Sequence, residues 1–226
     1  PIAQKTRQVI VVEKDRRLVS VLKKELENNG IDWVDILGQD IMKTDIPALA
    51  KDKKLVVISN LPYNISSQIL FRLVQERACI EKAFLMFQKE LADRILSPPG
   101  KKAYSRLSAV SQYAAEIAFV ANIGPAAFFP RPAVDSTILG FDFHVPSTVS
   151  AATETLLFTV IKAAFSKRRK SLKNSLVGQD LGLQKHAIAQ ALDQAKIVPE
   201  RRAETLTKDE FLTLTRVVQT ILDKEI

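Results

Sequence analysis

The sequence predicts an α/β protein, a mostly parallel sheet covered by helices and followed by a small all-α segment. Two observations carry this. Short apolar runs rich in β-branched residues alternate with helix-period segments through the first two-thirds of the 226 residues, and past Val145 the period is helical throughout. A hydrophobic content of 46% fills the core of one large or two smaller domains, set here at 1–146 and 147–226.

Taken in order, Gln8–Val12 reads as a strand and Asp15–Asn28 as a helix that Gly30 ends. Trp33–Leu37 and Lys54–Ser59 are the next strands, and Ser66–Arg77 is the next long helix. Ala83–Gln88 is a fourth strand, leading into helix Lys89–Leu96 and a Pro98-Pro99-Gly100 loop. Helix Tyr104–Tyr113 and strand Ala115–Ile123 follow, and Ser136–Phe143 closes the sheet with an alternation that suits an antiparallel edge. Pro146-Ser147-Thr148 reads as a linker. In helix Ala151–Phe165, Leu157, Val160, Ile161, Ala164 and Phe165 share one face. Continued unbroken, that helix would put Arg168 on the apolar stripe with Leu172 and Leu176; a break at Ser166, capping a new helix from Lys167, avoids the cost. Gln184–Gln194 and Lys208–Leu222 complete the helical segment.

A net charge of +8 points to a polyanionic partner, either nucleic acid or an anionic membrane. The chain has no apolar run of roughly 18 residues, so no membrane span is expected. The lone Cys79 cannot form an internal disulfide; it reads as a helix-end packing residue, and the reduced cytoplasm is the expected compartment. His144, His186 and Cys79 lie far apart, so no metal site is expected.

The stretch Leu55–Leu70, LVVISNLPYNISSQIL, puts Asn60-Leu61-Pro62-Tyr63 where a β-branched run ends, the place where open α/β sheets bind ligands. The Asn amide and a neighbouring backbone carbonyl can hold an exocyclic adenine amine while the Tyr ring stacks on the base. On four residues alone a plainer account serves equally: Pro62 ends a strand, Tyr63 packs on the turn, and Ser66 or Ser67 caps the next helix.

Glu13-Lys14-Asp15, Gly38-Gln39-Asp40, NLPYNISSQIL, FFPRPAVDS (Phe128–Ser136) and AFSKRRKSLKNSL (Ala164–Leu176) occur in that order. Together they resemble the KsgA family of small-subunit ribosomal RNA adenine dimethyltransferases, from about Val9 to the C-terminus. The Erm methyltransferases of large-subunit rRNA share the scaffold, but usually carry Ile at the place of Leu61. The resemblance implies a Rossmann-like class I methyltransferase sheet, S-adenosyl-L-methionine as methyl donor, and N6,N6-dimethylation of two adjacent adenosines near the 3′ end of small-subunit rRNA during ribosome biogenesis. It also implies the small ribosomal subunit and its rRNA as partners; a monomer is expected.

The same resemblance assigns Glu13 to the ribose hydroxyls of the cofactor, and Asp40 to its adenine amino group with Ile41 packed on the ring. It assigns Asn60, which also borders the cofactor, to the target amine together with the carbonyl of Leu61 or Pro62. Tyr63 and Phe128 would sandwich the base, with Phe129 the competitor for the place of Phe128. Each residue has a plainer account beside this one. Glu13 can be a solvated charge next to the N-cap Asp15. Asp40 can be a turn carboxylate, since Gln39 intervenes where the family often has Gly-Asp, and Phe128 or its neighbour Phe129 can be a buried loop anchor.

Between Glu154 and Asp180 stand Lys162, Lys167, Arg168, Arg169, Lys170 and Lys173, with no acidic residue. Such a run is repulsive unless it meets an anion. Phosphate backbone is the natural partner, so Lys167, Arg169, Lys170 and Lys173 are expected to bind RNA, with Arg168 kept for structure. A solvated face or a DNA-binding module are other uses of such a helix. One family feature is not found: the Gly-rich loop after the first strand, for there is no Gly before Gly30. The expectation is that the first strand, this loop and a covering N-terminal segment precede Pro1. The sheet then has a central gap between the strands Gln8–Val12 and Lys54–Ser59, and the chain as it stands is inactive. A non-enzymatic RNA-binding assembly factor on the same scaffold and an Erm-like enzyme are the rival readings.

Overall fold

The computed structural model describes residues 2–6, 8–144, 149–167, 169–178 and 181–224, and its chain divides into two units, 1–53 and 54–226. The expected linker 146–148 and Arg168 lie outside the described residues.

In the first unit, β1 (Val9–Val12) pairs in parallel with β2 (Val34–Leu37), Val12 opposite Leu37. The crossover between them is α1 (Arg16–Asn28), capped by Asp15, whose carboxylate accepts the Arg17 N–H at 2.8 Å. Gly30, at φ +64°, turns the chain out of the helix; its own N–H donates to the Glu27 carbonyl and that of Ile31 to the Leu26 carbonyl. A short helix α2 (Ile46–Ala50) adds to the expected elements. Asp45 caps it through the Ala48 N–H, and Pro47 in its first turn presets φ.

The second unit opens with β3 (Leu55–Asn60), α3 (Ser66–Gln75), β4 (Ile80–Gln88), α4 (Lys89–Leu96), α5 (Arg106–Ala114), β5 (Glu116–Ile123) and β6 (Ser136–Asp142). β4 starts three residues earlier than expected. α5 starts two residues later than expected, because Ser105 and Ser108 form a capping box there. The strand order is β3-β4-β6-β5, with β3 and β4 parallel and β6 antiparallel to both of its neighbours. The closing strand is therefore antiparallel as expected, but it is not an edge. It inserts between β4 and β5, and β5 takes the edge. The strands fall in two hydrogen-bonded sheets, in which β1 and β3 each have one paired neighbour among the described residues.

Ala83, Leu85 and Phe87 of β4 and Leu139 and Phe141 of β6 point to one face and are buried with Leu70 and Leu73 of α3 and Ile95 of α4. Phe87 and Phe141 meet edge to face with centroids 6.2 Å apart. Behind them α5 packs on α3, α4 and α6 (Ala151–Ala164). The expected face of α6 is the buried one: Leu157, Val160, Ile161 and Ala164 lie in the core and Phe165 is half-buried. α9 (Lys208–Leu222) packs against α6 and α8 (Lys185–Gln194), and α8 against the short α7 (Leu172–Ser175). Among the described residues no helix is long and apolar enough to cross a membrane.

The break after Phe165 is where the sequence places it, but no helix begins at Lys167; α7 starts at Leu172. The Ser166 hydroxyl donates to the Ser175 carbonyl rather than capping a helix, and the Lys170 N–H closes a turn onto Lys167. Three cations in a first helical turn would also oppose the helix dipole. The basic segment is thus mostly a loop.

Glu154 in the first turn of α6 accepts from the Arg77 guanidinium and from the Tyr113 hydroxyl at 2.9 Å. The paired Arg77 and Glu154 side chains are only 14% and 16% exposed. Glu154→Ala leaves a buried guanidinium short of its carboxylate and should cost about 2–3 kcal/mol. Glu154→Gln, which keeps an acceptor, should cost less. Chemical denaturation of the two variants checks this, and equal losses would mean that the carboxylate charge, not the acceptor Gln retains, carries the interaction.

Candidate active site

In the first unit the two expected carboxylates stand at the C-terminal ends of adjacent parallel strands. Glu13 follows Val12, and its N–H donates to the Leu37 carbonyl at 3.1 Å, which extends the β1–β2 ladder by one rung. The residue is half-buried, and its carboxylate accepts the Asp15 N–H at 2.8 Å. Asp40 caps the single 3-10 turn Ile41–Lys43: Oδ1 accepts the Met42 N–H at 2.9 Å and Oδ2 accepts Lys14 Nζ at 2.8 Å. The hydrogen bond from Lys14, then that from Met42, hold the Asp40 carboxyl below its ordinary value. The same contact raises the Lys14 ammonium above its own. Ile41 is half-buried beside them. Gln39, the residue intervening after Gly38, is used locally: its Nε2 donates to Thr44 Oγ1 at 3.1 Å.

The tetrad lies in the second unit at the C-terminal end of β3. Asn60 is the last strand residue, opposite Met86, and it is exposed. Leu61 is buried, which pins the turn to the core. The Pro62 carbonyl accepts the Ile65 N–H at 3.1 Å, and the Ser66 hydroxyl donates to the Tyr63 carbonyl at 3.0 Å. Neither Ser66 nor Ser67 caps α3; the N-cap position is Ile65, without a side-chain bond. Tyr63 is half-buried, and its hydroxyl lies 2.7 Å from the Ser136 hydroxyl, the first residue of β6.

The loop before β6 belongs to the same end of this sheet. Phe128 is half-buried; its N–H closes a turn onto the Pro125 carbonyl at 3.2 Å. Phe129 is fully exposed, so it is not a buried loop anchor. Pro130 follows it through a cis peptide bond. The Asp135 carbonyl accepts the Lys89 N–H at 2.9 Å, tying the loop to the start of α4. Ser136 is a residue that the sequence reading assigns no role, although it ends the FFPRPAVDS motif.

In the basic segment Arg169 and Lys170 are exposed. Lys167 donates to the Asn174 carbonyl at 3.1 Å, near the end of α7. Lys173 forms an ion pair with Glu200 at 2.7 Å, so its charge is already answered by the protein. The four expected RNA contacts therefore differ in kind: two exposed cations, one that caps a helix end, and one that is paired.

The ribosomal RNA adenine dimethylase family matches residues 1–220. Ribosomal RNA small subunit methyltransferase A of Desulforapulum autotrophicum is 46% identical over 215 residues, which span 95% of this chain and 76% of that protein. The protein of the same name from Desulfitobacterium hafniense is 40% identical over 98% of this chain and 78% of its own. In structure, a dimethyladenosine transferase from Plasmodium falciparum is similar with a TM-score of 0.75 at 27% identity, over 96% of this chain and 83% of that one. The 23S rRNA methyltransferase ErmE gives a TM-score of 0.66 at 22% identity over 96% and 84%, a likeness of fold alone.

Because its folded-state value is lowered, Asp40 contributes stability at neutral pH that is lost as pH falls through that value, below the ordinary carboxylate range near about 4. Lys14→Ala should move the Asp40 midpoint back up toward that range. Carboxyl carbon NMR across an acid titration checks it; an unmoved midpoint would assign the shift to the Met42 N–H instead.

Proposed function

The chain belongs to the ribosomal RNA adenine dimethylase family, and from that premise we propose that its substrate is small-subunit rRNA, methylated at two adjacent adenosines near the 3′ end. The family takes its methyl groups from S-adenosylmethionine. The observation that carries the reading is Asn60-Leu61-Pro62-Tyr63 closing β3, with the Tyr63 hydroxyl held at the start of β6. The relatives at 35–46% identity that bear a small-subunit name favour that substrate over the large-subunit one of ErmE.

The cofactor supplies a methyl group activated on a sulfonium. A ribose diol and an exocyclic amine are hydrogen-bond donors, and Glu13 and Asp40 are acceptors that fit them. Each Asp40 oxygen keeps a lone pair beyond its present bond, with Ile41 as the apolar neighbour for the ring. At the target base the N6 lone pair is drawn into the ring, which makes it a weak nucleophile. Asn60 Oδ1 and one backbone carbonyl accepting its two hydrogens turn that lone pair toward the methyl group. The Leu61 carbonyl suits this better than that of Pro62, which already accepts the Ile65 N–H. After one transfer a single N–H remains, so one acceptor suffices for the second; each transfer releases one proton to solvent. Tyr63 and Phe128 stack on the two faces of the base. Arg169 and Lys170, with Lys167 beside them, meet RNA phosphates, so residues 147–226 serve as the RNA-binding part. The protein works as a monomer in the cytoplasm.

In the full-length protein, Asn60→Ala should abolish methyl transfer to purified small subunits while leaving their affinity nearly unchanged, since the amide acts at the reacting amine and not on phosphate. A rate within a few-fold of the parent would remove Asn60 from the chemistry. Transfer to large subunits in place of small ones would favour the Erm-like reading, and absence of S-adenosylmethionine binding in calorimetry would favour the assembly factor.

Replacing Arg169 and Lys170 together by Gln should lower the slope of log affinity against log salt by about 1.4–1.8, two phosphate contacts' worth. Lys173→Gln should lower it less, because Glu200 already neutralises Lys173. Parallel titrations for the double variant and the parent would remove the basic loop from the RNA interface.

A further inference from the structure

The hydrogen bond between Tyr63 and Ser136 joins residues far apart in sequence at 2.7 Å. Ser136 has no exposed surface. Its backbone is fixed on both sides, paired with Gln88 of β4 and Ile123 of β5, and the residue before it is tied to Lys89. Tyr63, by contrast, sits in a turn. The bonds from Ile65 to Pro62 and from Ser66 to Tyr63 fix its backbone and leave its two side-chain torsions open. A ring that must present one face to a base needs its plane set, and the one polar atom by which the protein can set it is the hydroxyl.

We infer that Ser136 is a positioning residue for methyl transfer: it holds the plane of the Tyr63 ring so that a flipped adenine meets a preset stacking surface. The inference rests on the reading of Tyr63 as the base-stacking residue. Ser136 touches neither base nor cofactor in this role. It acts through the phenol oxygen, and the bond works in either donor direction, so removing either oxygen releases the same ring. This sets an expectation different from that of stacking alone, under which Tyr63→Phe would be silent because the ring survives.

The test is single-turnover methyl transfer by the full-length protein to purified small subunits, with Ser136→Ala, Tyr63→Phe, the double variant and Tyr63→Ala beside the parent. Each single removal should slow the transfer step by about three- to tenfold, the worth of one net hydrogen bond. Half-saturating S-adenosylmethionine should not change. The double variant should be no slower than the slower single one, because both oxygens serve one contact. Losses that multiply in the double variant, or a parental rate for Ser136→Ala, would overturn the inference. Should Ser136→Ala melt too early to assay, Tyr63→Phe, which leaves the buried serine in place, still decides: a parental rate for that variant overturns it. Tyr63→Ala separates the two levels. If it keeps the parental rate, the stacking reading itself fails; if it is inactive while Ser136→Ala is unaffected, the inference fails and the stacking reading stands.

Discussion

Everything in the second unit's candidate site follows from the direction of one strand. β3 and β4 run in parallel, so their C-terminal ends share one end of the sheet; β6 runs against both, so its beginning lies at that same end. Asn60 pairs across to Met86, Met86 to Ile138, and Gln88 to Ser136. A loop leaving β3 and a loop entering β6 are brought together this way although long stretches of helix and strand separate them in sequence. Had β6 been parallel, Ser136 would sit at the far end of the sheet and Tyr63 would have no partner there.

That dependence also explains what the sequence does and does not disclose. Periodicity and caps are local, so α1 with its Asp15 cap and Gly30 exit, the helix Lys89–Leu96 and the buried face of α6 are legible residue by residue. Alternation along β6 reveals its two faces and its antiparallel character, but not who stands on either side. Gly140 hints at the answer. A Cβ there would be in ordinary contact with Val120 of β5 at 3.4 Å and with Phe84 of β4 at 3.5 Å, so a neighbour stands on each side. The site motifs are legible as types, since Asn-Leu-Pro-Tyr at a strand end and a stiff Phe-Pro loop each announce themselves. What joins them, Tyr63 to Ser136, depends on strand order and is invisible without it. The resemblance picks Phe128 over Phe129 for stacking, but only the structure shows that the first is half-buried and the second stands in solvent.

The first unit shows a different economy. Lys14 and Asp40 are each half of a pair, and Asp40 is at once a helix cap, an ion-pair partner and the proposed acceptor for an adenine amine. A carboxylate fixed by two donors is kept ionised and aimed before any ligand arrives, so the third bond requires no rotation. The plainer reading of Asp40 as a turn residue and the functional one are therefore compatible: the turn is the means of aiming.

The basic loop is held to its surroundings by main-chain bonds. The Leu172 N–H donates to the Arg201 carbonyl at 2.8 Å and the Lys173 N–H to the Pro199 carbonyl at 3.2 Å, while Ser166 and Ser175 cross-link the loop to the end of α7. Arg201 is itself locked by Glu210 and by Thr205. Fixing one residue's backbone costs about 1–2 kcal/mol. On meeting the RNA proposed as its partner, a segment already stitched down would escape most of that ordering cost, whereas a tail of equal charge would bear it in full at each encounter.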